Sequence, residues 1–248
     1  MFKYLVAVLV LVFGAVIWMY FSVGVPVLYS EKNVTVRSVH RMGNLEQPLS
    51  RIYISAFYFI PKNKEENIHN EWQKLLHKKL DALVRFHTVQ LQGASSILYE
   101  IYPEPIIGNL DNLAYDTSIT QHGNPAALRR IVPEIESRVL AKDGDLYRAD
   151  FDHVPPDAYH VLVIMYEGVG STGGDNVALI SRIFLSDIEY AAVSESLLAH
   201  EFYHTLGLPD AYTIPEGIAT SADIMGLGRY RPIGQTFISQ KMLQELGL

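Results

Sequence analysis

The sequence contains no cysteine, and this absence excludes several kinds of chemistry. Disulfide bonds, metal sites built on thiolates and cysteine nucleophiles all require that side chain. A metal ion bound to this chain must therefore be held by histidine, aspartate or glutamate.

Clustered positive charge is also missing. The 248 residues have a formal net charge of −7 and contain no run rich in lysine and arginine. Proteins that bind nucleic acids neutralise phosphates with such clusters, so we expect no nucleic-acid partner. Hydrophobic residues make up 49% of the chain, which is enough to form a sizeable core.

The N-terminal segment is apolar and carries no charged side chain from Tyr4 to Ser30. As a helix it would be about 40 Å long, more than the roughly 30 Å that a membrane core requires. A cleaved signal peptide is the alternative, but its apolar region is shorter and ends in small residues. Trp18, Tyr20 and Phe21 stand in that place here. We therefore predict that residues 1–30 form the transmembrane anchor of a single-pass membrane protein, with the remainder outside the cytoplasm.

Beyond the anchor, strand-like and helix-like segments alternate. Residues 31–50 are expected to be a linker, and residues 51–248 to form one domain of the α/β or α+β class. The glycine-rich run Gly168–Gly173 predicts a flexible loop between two strands, because no helix follows it that could bind a phosphate. The predicted strands are residues 51–61, 95–105, 158–167 and 176–186, the last near an edge; the predicted helices are 64–87, 124–142 with a kink or break at Pro133, 186–207 and 236–246.

The helix at residues 186–207 carries the pattern that points to chemistry. A capping box of Ser186 and Glu189 is expected to begin it. His200 and His204 are four residues apart, so on a helix both imidazoles lie on one face and can reach one metal ion. Glu201 is then placed to take a proton from a water that the metal activates.

A third ligand must come from beyond the helix. Gly207 can adopt a positive φ and end the helix, which lets the chain turn back toward the histidines. Asp210 follows three residues later, after Pro209, and is the predicted third ligand. Glu216 is a rival, but it stands in a loop too soon after His204 to sit on a second helix.

The pattern His200-Glu201-x-x-His204-x-x-Gly207-x-x-Asp210, followed by Met225 in the run SADIMG, resembles the metzincin family of zinc peptidases. The ending in aspartate is similar to that of snapalysin and of the secreted peptidases of the immune-inhibitor-A type. The likeness is specific over residues 197–226.

This resemblance implies a mixed, twisted sheet with an active-site helix, a turn containing Met225 beneath a zinc ion (Zn2+), and a C-terminal helix. It also implies that the strand NVALISRIFL is an edge strand that pairs with a peptide substrate, and that residues 226–233 line a side-chain pocket. Tyr230 is the candidate for stabilising the oxyanion or contacting substrate. Arg229 and Arg231 in this pocket indicate either a preference for acidic or polar side chains or simple exposure to solvent, and exposure is the favoured interpretation. His69, His77 and His87, on or beside the first helix, are expected to be solvated.

The function predicted from the sequence is that of a membrane-anchored zinc peptidase in which Glu201 is the general base. The main alternative is a membrane-tethered binding or scaffold domain that zinc stabilises and that has no hydrolytic activity. A zinc hydrolase that acts on bonds other than peptide bonds is a third possibility. The sequence leaves the oligomeric state open.

Overall fold

The sheet at the centre of the molecule is mostly parallel, and six strands belong to it among the described residues. The computed structural model describes residues 38–116, 125–143, 157–211 and 221–248. The strands are β1 (His40–Arg41), β2 (Asn44–Pro48), β3 (Arg51–Ile60), β4 (Ser96–Ile101), β5 (Ile106–Ile107), β6 (Tyr159–Tyr166), β7 (Ser171–Gly174) and β8 (Val177–Ser181). The α-helices are α1 (Trp72–Gln90), α2 (Pro125–Asp143), α3 (Arg182–Ser186), α4 (Ser194–Thr205) and α5 (Gln240–Glu245).

The strands β3 and β6 form the middle of the sheet. They pair in parallel, and the order across the sheet is β4-β3-β6-β8-β7, with β5 beside the end of β3. Both strands are nearly continuous apolar runs, as expected of parallel strands that are covered on both faces. The strands predicted at residues 51–61 and 158–167 are confirmed.

Helices cover the two faces of this sheet. On one face, Ile54 of β3 belongs to the same core cluster as Leu76 of α1 and Phe202 of α4. On the other face, Phe57 of β3 packs in a second cluster with Ile131 of α2. Successive side chains of a strand point to opposite faces, so a single apolar strand supplies both clusters. The predicted mixture of sheet and helices is confirmed.

The edge of the sheet beside α4 is β7, which runs antiparallel to β8. The strand predicted near an edge at residues 176–186 is confirmed only over Val177–Ser181, because residues 182–186 are helical. The edge position that the resemblance implies for it is wrong, because β8 lies between β6 and β7. The predicted glycine loop is wrong in its second half, because β7 begins at Ser171. Glycine has weak strand propensity, which hid this strand in the sequence.

Helix α4, which carries His200 and His204, begins at Ser194, eight residues later than the predicted capping box. Ser186 donates its hydroxyl proton to the Arg182 carbonyl at 3.0 Å instead of capping a helix. The Asp187 carboxylate accepts from the Glu189 amide at 3.2 Å, which starts only a short 3-10 turn. Local side-chain bonds thus hold this stretch in short turns before α4.

The other predicted helices differ from the structure mainly at their ends. Helix α1 begins at Trp72, after a 3-10 turn at Lys62–Asn67. Helix α2 runs as one element through Pro133, where a kink or break was expected. The last helix is shorter than predicted, and Ser239 caps it by accepting from the Met242 amide at 3.4 Å.

The domain begins before Arg51. Part of the expected linker forms the antiparallel pair β1 and β2, and Val39 and Leu49 beside them are buried in the core. The predicted anchor, residues 1–30, lies outside the described residues. Within the described ranges, no helix combines the length and apolar character needed to cross a bilayer.

Candidate metal centre

Helix α4 carries the candidate ligands on its buried side. His200 and Glu201 are buried and His204 is half-buried, and one ligand atom from each lies within 4.8 Å of the others. Gly207 has a φ of +87° and ends the helix, as predicted; its amide donates to the His204 carbonyl at 3.0 Å. The chain then returns so that Asp210 lies beside both histidines.

Three side-chain atoms converge on one point. His200 Nε2 is 3.2 Å from His204 Nε2, and the Asp210 Oδ1 atom is 3.4 Å from the first and 3.6 Å from the second. A tetrahedral ion with metal–ligand bonds of about 2.0–2.2 Å requires ligand atoms about 3.3–3.6 Å apart. The triangle therefore has the size that a metal ion needs.

Backbone carbonyls fix which nitrogen of each imidazole faces this point. His200 Nδ1 is 3.0 Å from the Ile224 carbonyl, and His204 Nδ1 is 2.8 Å from the Leu208 carbonyl. A carbonyl oxygen only accepts hydrogen bonds, so each Nδ1 must carry the proton. In the neutral imidazoles both Nε2 atoms then present lone pairs to each other and to a carboxylate, and a cation between them removes the repulsion. The residues present fit a bound metal.

The charges around the site also favour a cation. Burial, together with nearby His204 and Arg229, lowers the pKa of His200 to about 3, so this imidazole is neutral near pH 7. Burial acts against the charged form of His204 too, but the hydrogen bond with Asp210 and the charge of Glu201 outweigh it and raise its pKa. The carboxylates of Asp210 and Glu201 thus stabilise positive charge in the site, and a metal ion would supply that charge.

Glu201 is held by the edge strand. Ser171 of β7 donates its hydroxyl proton to Glu201 Oε1 at 2.6 Å. Burial raises the pKa of Glu201, although His204 and the Ser171 hydrogen bond act in the opposite sense. A carboxylate whose pKa is raised toward neutrality is well suited to accept and release a proton.

The strand β7 can approach α4 this closely because of Gly173. A Cβ atom at that position would lie 2.1 Å from the Glu201 carbonyl oxygen and 2.9 Å from the His204 Cβ atom. The glycine that weakens the strand pattern in the sequence is therefore required by the packing of β7 against the metal-bearing helix.

Hydrogen bonds to the Asp223 carboxylate fix the loop that contains Met225. The buried Asp223 carboxylate accepts from the Met225 amide at 2.7 Å and from the Ser239 amide at 2.6 Å. Met225 is fully buried, and its carbonyl accepts from the Ala211 amide at 2.9 Å, directly after Asp210. The predicted turn at Met225 therefore links the third candidate ligand to the core.

The prediction for Arg229 is wrong. Its side chain is only 14% exposed, and Nη1 lies 3.1 Å from His200 Nε2 and 3.3 Å from Asp210 Oδ1. Tyr230, the residue predicted to act near the oxyanion, is 57% exposed, and its ring lies 4.9 Å from the Arg229 guanidinium carbon. The Arg229 side chain points into the site because the Asp210 carboxylate and the lone pair of His200 Nε2 can accept hydrogen bonds from it.

The prediction for His87 is also wrong. This side chain is fully buried in α1, with Nε2 2.8 Å from Ser95 Oγ and Nδ1 3.2 Å from the Tyr203 hydroxyl. His77, on the same helix, is exposed as expected.

Comparison with known proteins gives no family assignment. No family model matches the chain, and no curated protein matches it. One similar solved structure is a crystal structure of catalytically inactive OgpA from Akkermansia muciniphila in complex with an O-glycopeptide (glycodrosocin) substrate. The TM-score is 0.36 and the identity 15%, over 80% of this chain and 61% of that one. The chain thus spans less than two thirds of that protein, and the site described above has to be judged on its own geometry.

Proposed function

We propose that this protein is a zinc peptidase of the metzincin type, anchored in a membrane by residues 1–30, with its catalytic domain outside the cytoplasm. The observation that carries the proposal is the triangle of His200 Nε2, His204 Nε2 and Asp210 Oδ1, with edges of 3.2–3.6 Å. The donor set of two imidazoles and a carboxylate leaves one position of a tetrahedral zinc ion open, as in catalytic zinc sites.

The residues around the triangle supply the remaining parts of a hydrolytic site. A zinc ion held there would polarise the scissile carbonyl and lower the pKa of a water molecule. Glu201 takes a proton from that water, whose oxygen adds to the carbonyl carbon. The same carboxylate then delivers the proton to the amide nitrogen as the carbon–nitrogen bond breaks. Ser171 keeps the Glu201 carboxylate in one orientation during both transfers.

The edge strand β7 is the surface on which we expect a peptide substrate to bind. Among the described residues, the main-chain pairing of β7 is with β8 on one side. An extended peptide can add to the other side through backbone hydrogen bonds. Ser171 joins this strand to Glu201, so a peptide bound there lies next to the general base. We therefore expect β7, and not the strand NVALISRIFL that the resemblance implies, to pair with the peptide substrate.

The proposal is tested on the full-length protein purified in detergent. Zinc is measured by elemental analysis, and a peptide library is digested with the wild type and with Glu201→Gln. We expect one zinc ion per chain in both proteins, with cleavage only by the wild type, because the variant keeps the ligands and loses the base. A zinc-loaded wild type that cleaves no peptide would refute the peptidase and leave the zinc-stabilised binding domain as the function.

A further inference from the structure

Arg229 lies in a short 3-10 turn, Leu227–Tyr230, that passes over the metal centre. Its Nη1 atom forms a second triangle with His200 Nε2 and Asp210 Oδ1, with distances of 3.1 Å and 3.3 Å to these two atoms. The ring of Tyr230 flanks the guanidinium on another side. The guanidinium is therefore part of the site, adjacent to the point where the three candidate ligands meet.

The backbone of this turn is fixed in place. The Gly228 amide donates to the Asp223 carbonyl at 2.9 Å, and the Arg231 amide donates to the Gly228 carbonyl at 2.9 Å. A Cβ atom at residue 228 would lie 2.2 Å from Thr236 Oγ1 and 2.4 Å from the Asp223 carbonyl oxygen, so only glycine fits. Arg229 is thereby held over the site before any substrate arrives.

Metal binding changes which acceptors Arg229 can use. A guanidinium is always charged and only donates hydrogen bonds. A metal ion would take the single lone pair of His200 Nε2, which Arg229 now faces, whereas the Asp210 carboxylate keeps lone pairs that can accept from the guanidinium. Two cations side by side repel each other unless negative charge lies between them. The donor that His200 no longer accepts is then available to a second oxygen that carries negative charge.

We infer that Arg229 donates a hydrogen bond to the carbonyl oxygen of the scissile peptide bond as that oxygen becomes negatively charged, an inference that rests on the peptidase function proposed above. Addition of water to the carbonyl carbon places the new charge on this oxygen, next to the metal centre and within reach of Nη1. Donors aimed at developing charge are often the largest single contribution to catalysis. Arg229 takes the role expected of Tyr230, and the tyrosine ring supports the guanidinium from the side.

The first test measures turnover by full-length, zinc-loaded variants. Arg229→Met should lower kcat by about 100-fold on every peptide that the wild type cleaves, which is typical for loss of one oxyanion donor. Arg229→Lys keeps the charge and should recover part of this loss. The matched control, Arg85→Met, removes an exposed arginine of α1 that has no part in the site and should stay within about twofold of the wild type. Wild-type kcat in Arg229→Met overturns the inference, and so does a loss confined to peptides with acidic side chains, which would mean that Arg229 binds a substrate carboxylate.

The second test needs no turnover. Cobalt(II)-substituted proteins are titrated with methylphosphonate, a tetrahedral anion, and the visible spectrum is followed. Arg229→Met should bind methylphosphonate at least tenfold more weakly than the wild type and Arg85→Met. Its zinc affinity, from chelator competition, should equal or exceed the wild-type value because the guanidinium no longer competes for the ligands. Unchanged methylphosphonate binding or a lower zinc affinity overturns the inference. If the wild type cleaves no peptide, the proposed function fails, while this titration still decides whether Arg229 and the metal form an anion site.

Discussion

Ser171 and Glu201 lie on different elements, the edge strand β7 and the helix α4 that carries the candidate ligands, and a hydrogen bond of 2.6 Å joins their side chains. This bond ties the carboxylate next to the metal ligands to the strand on which we expect the substrate to bind. A shift of the strand would therefore also move the base.

Replacement of Ser171 by alanine should slow catalysis without removing the metal. The Glu201 carboxylate loses the partner that orients it, and loss of such a supporting hydrogen bond typically costs about 10–100-fold in activity. We expect kcat to fall by about tenfold, with an unchanged zinc content by elemental analysis. Ser171→Thr keeps a hydroxyl group and serves as the control. Full activity in Ser171→Ala, or a loss of zinc from it, would show that the hydroxyl does not act through Glu201.

Replacement of Asp210 by asparagine should weaken metal binding. The amide has no negative charge, so the site loses both an anionic ligand atom and the charge that attracts a cation. We expect zinc affinity to fall by about 100-fold or more in competition with a chromogenic chelator. The control is Glu189→Gln, which removes an exposed carboxylate from the 3-10 turn before α4. This variant should bind zinc as the wild type does. Zinc binding at wild-type strength by Asp210→Asn would eliminate Asp210 as the third ligand.

Replacement of Gly173 by alanine should destabilise the fold around the metal centre. The new methyl group would lie 2.1 Å from a backbone oxygen of α4, which cannot move without displacing the helix. We expect the free energy of unfolding, measured with urea, to fall by about 2–4 kcal/mol. Gly174→Ala is a close control, because a Cβ atom there meets nothing within 4 Å and the backbone has no positive φ. Equal stabilities of the two variants would contradict the close contact between β7 and α4.

The fold could be predicted wherever a single periodic pattern dominated. The buried strands β3 and β6 and the helices α1 and α2 follow from apolar runs and helical spacing, because core packing agrees with local preference there. The short edge strand β7 could not be predicted in this way. Its glycines are explained only by the helix that packs against it, and that contact is between residues distant in sequence.

The same distinction applies to the candidate site. His200 and His204 are spaced by one helical turn, so the sequence alone predicts that they share one face, with Glu201 next to the first of them. Ser171, Asp223 and Arg229 come from other segments and carry no spacing that relates them to the motif. Arg229 was assigned to solvent because exposed arginines are common. Its true position depends on acceptors that only the folded chain brings together.

Acid should destabilise the protein through His87, which contacts Tyr203 of α4 and is not one of the candidate ligands. Ser95 uses its one hydroxyl proton on the Leu49 carbonyl, so it accepts from His87 Nε2, and His87 Nδ1 accepts from the Tyr203 hydroxyl. Burial of this neutral imidazole lowers its pKa to about 3 in the folded protein, from the ordinary value of 6.5.

The sign of the effect follows from proton binding. Between pH 6.5 and pH 3 the unfolded chain binds a proton at His87 that the folded chain does not, so stability falls as the pH is lowered through this range. The free energy of unfolding should change by up to about 1.4 kcal/mol per pH unit from this group. His87→Asn does not titrate and cannot reach the partner of Nε2, so it should be less stable near pH 7 and show a smaller pH dependence. The control is His77→Asn, which removes an exposed histidine of the same helix and should keep the wild-type pH dependence of the free energy of unfolding. If this pH dependence is the same in all three proteins between pH 6 and pH 4, His87 is not buried in its neutral form.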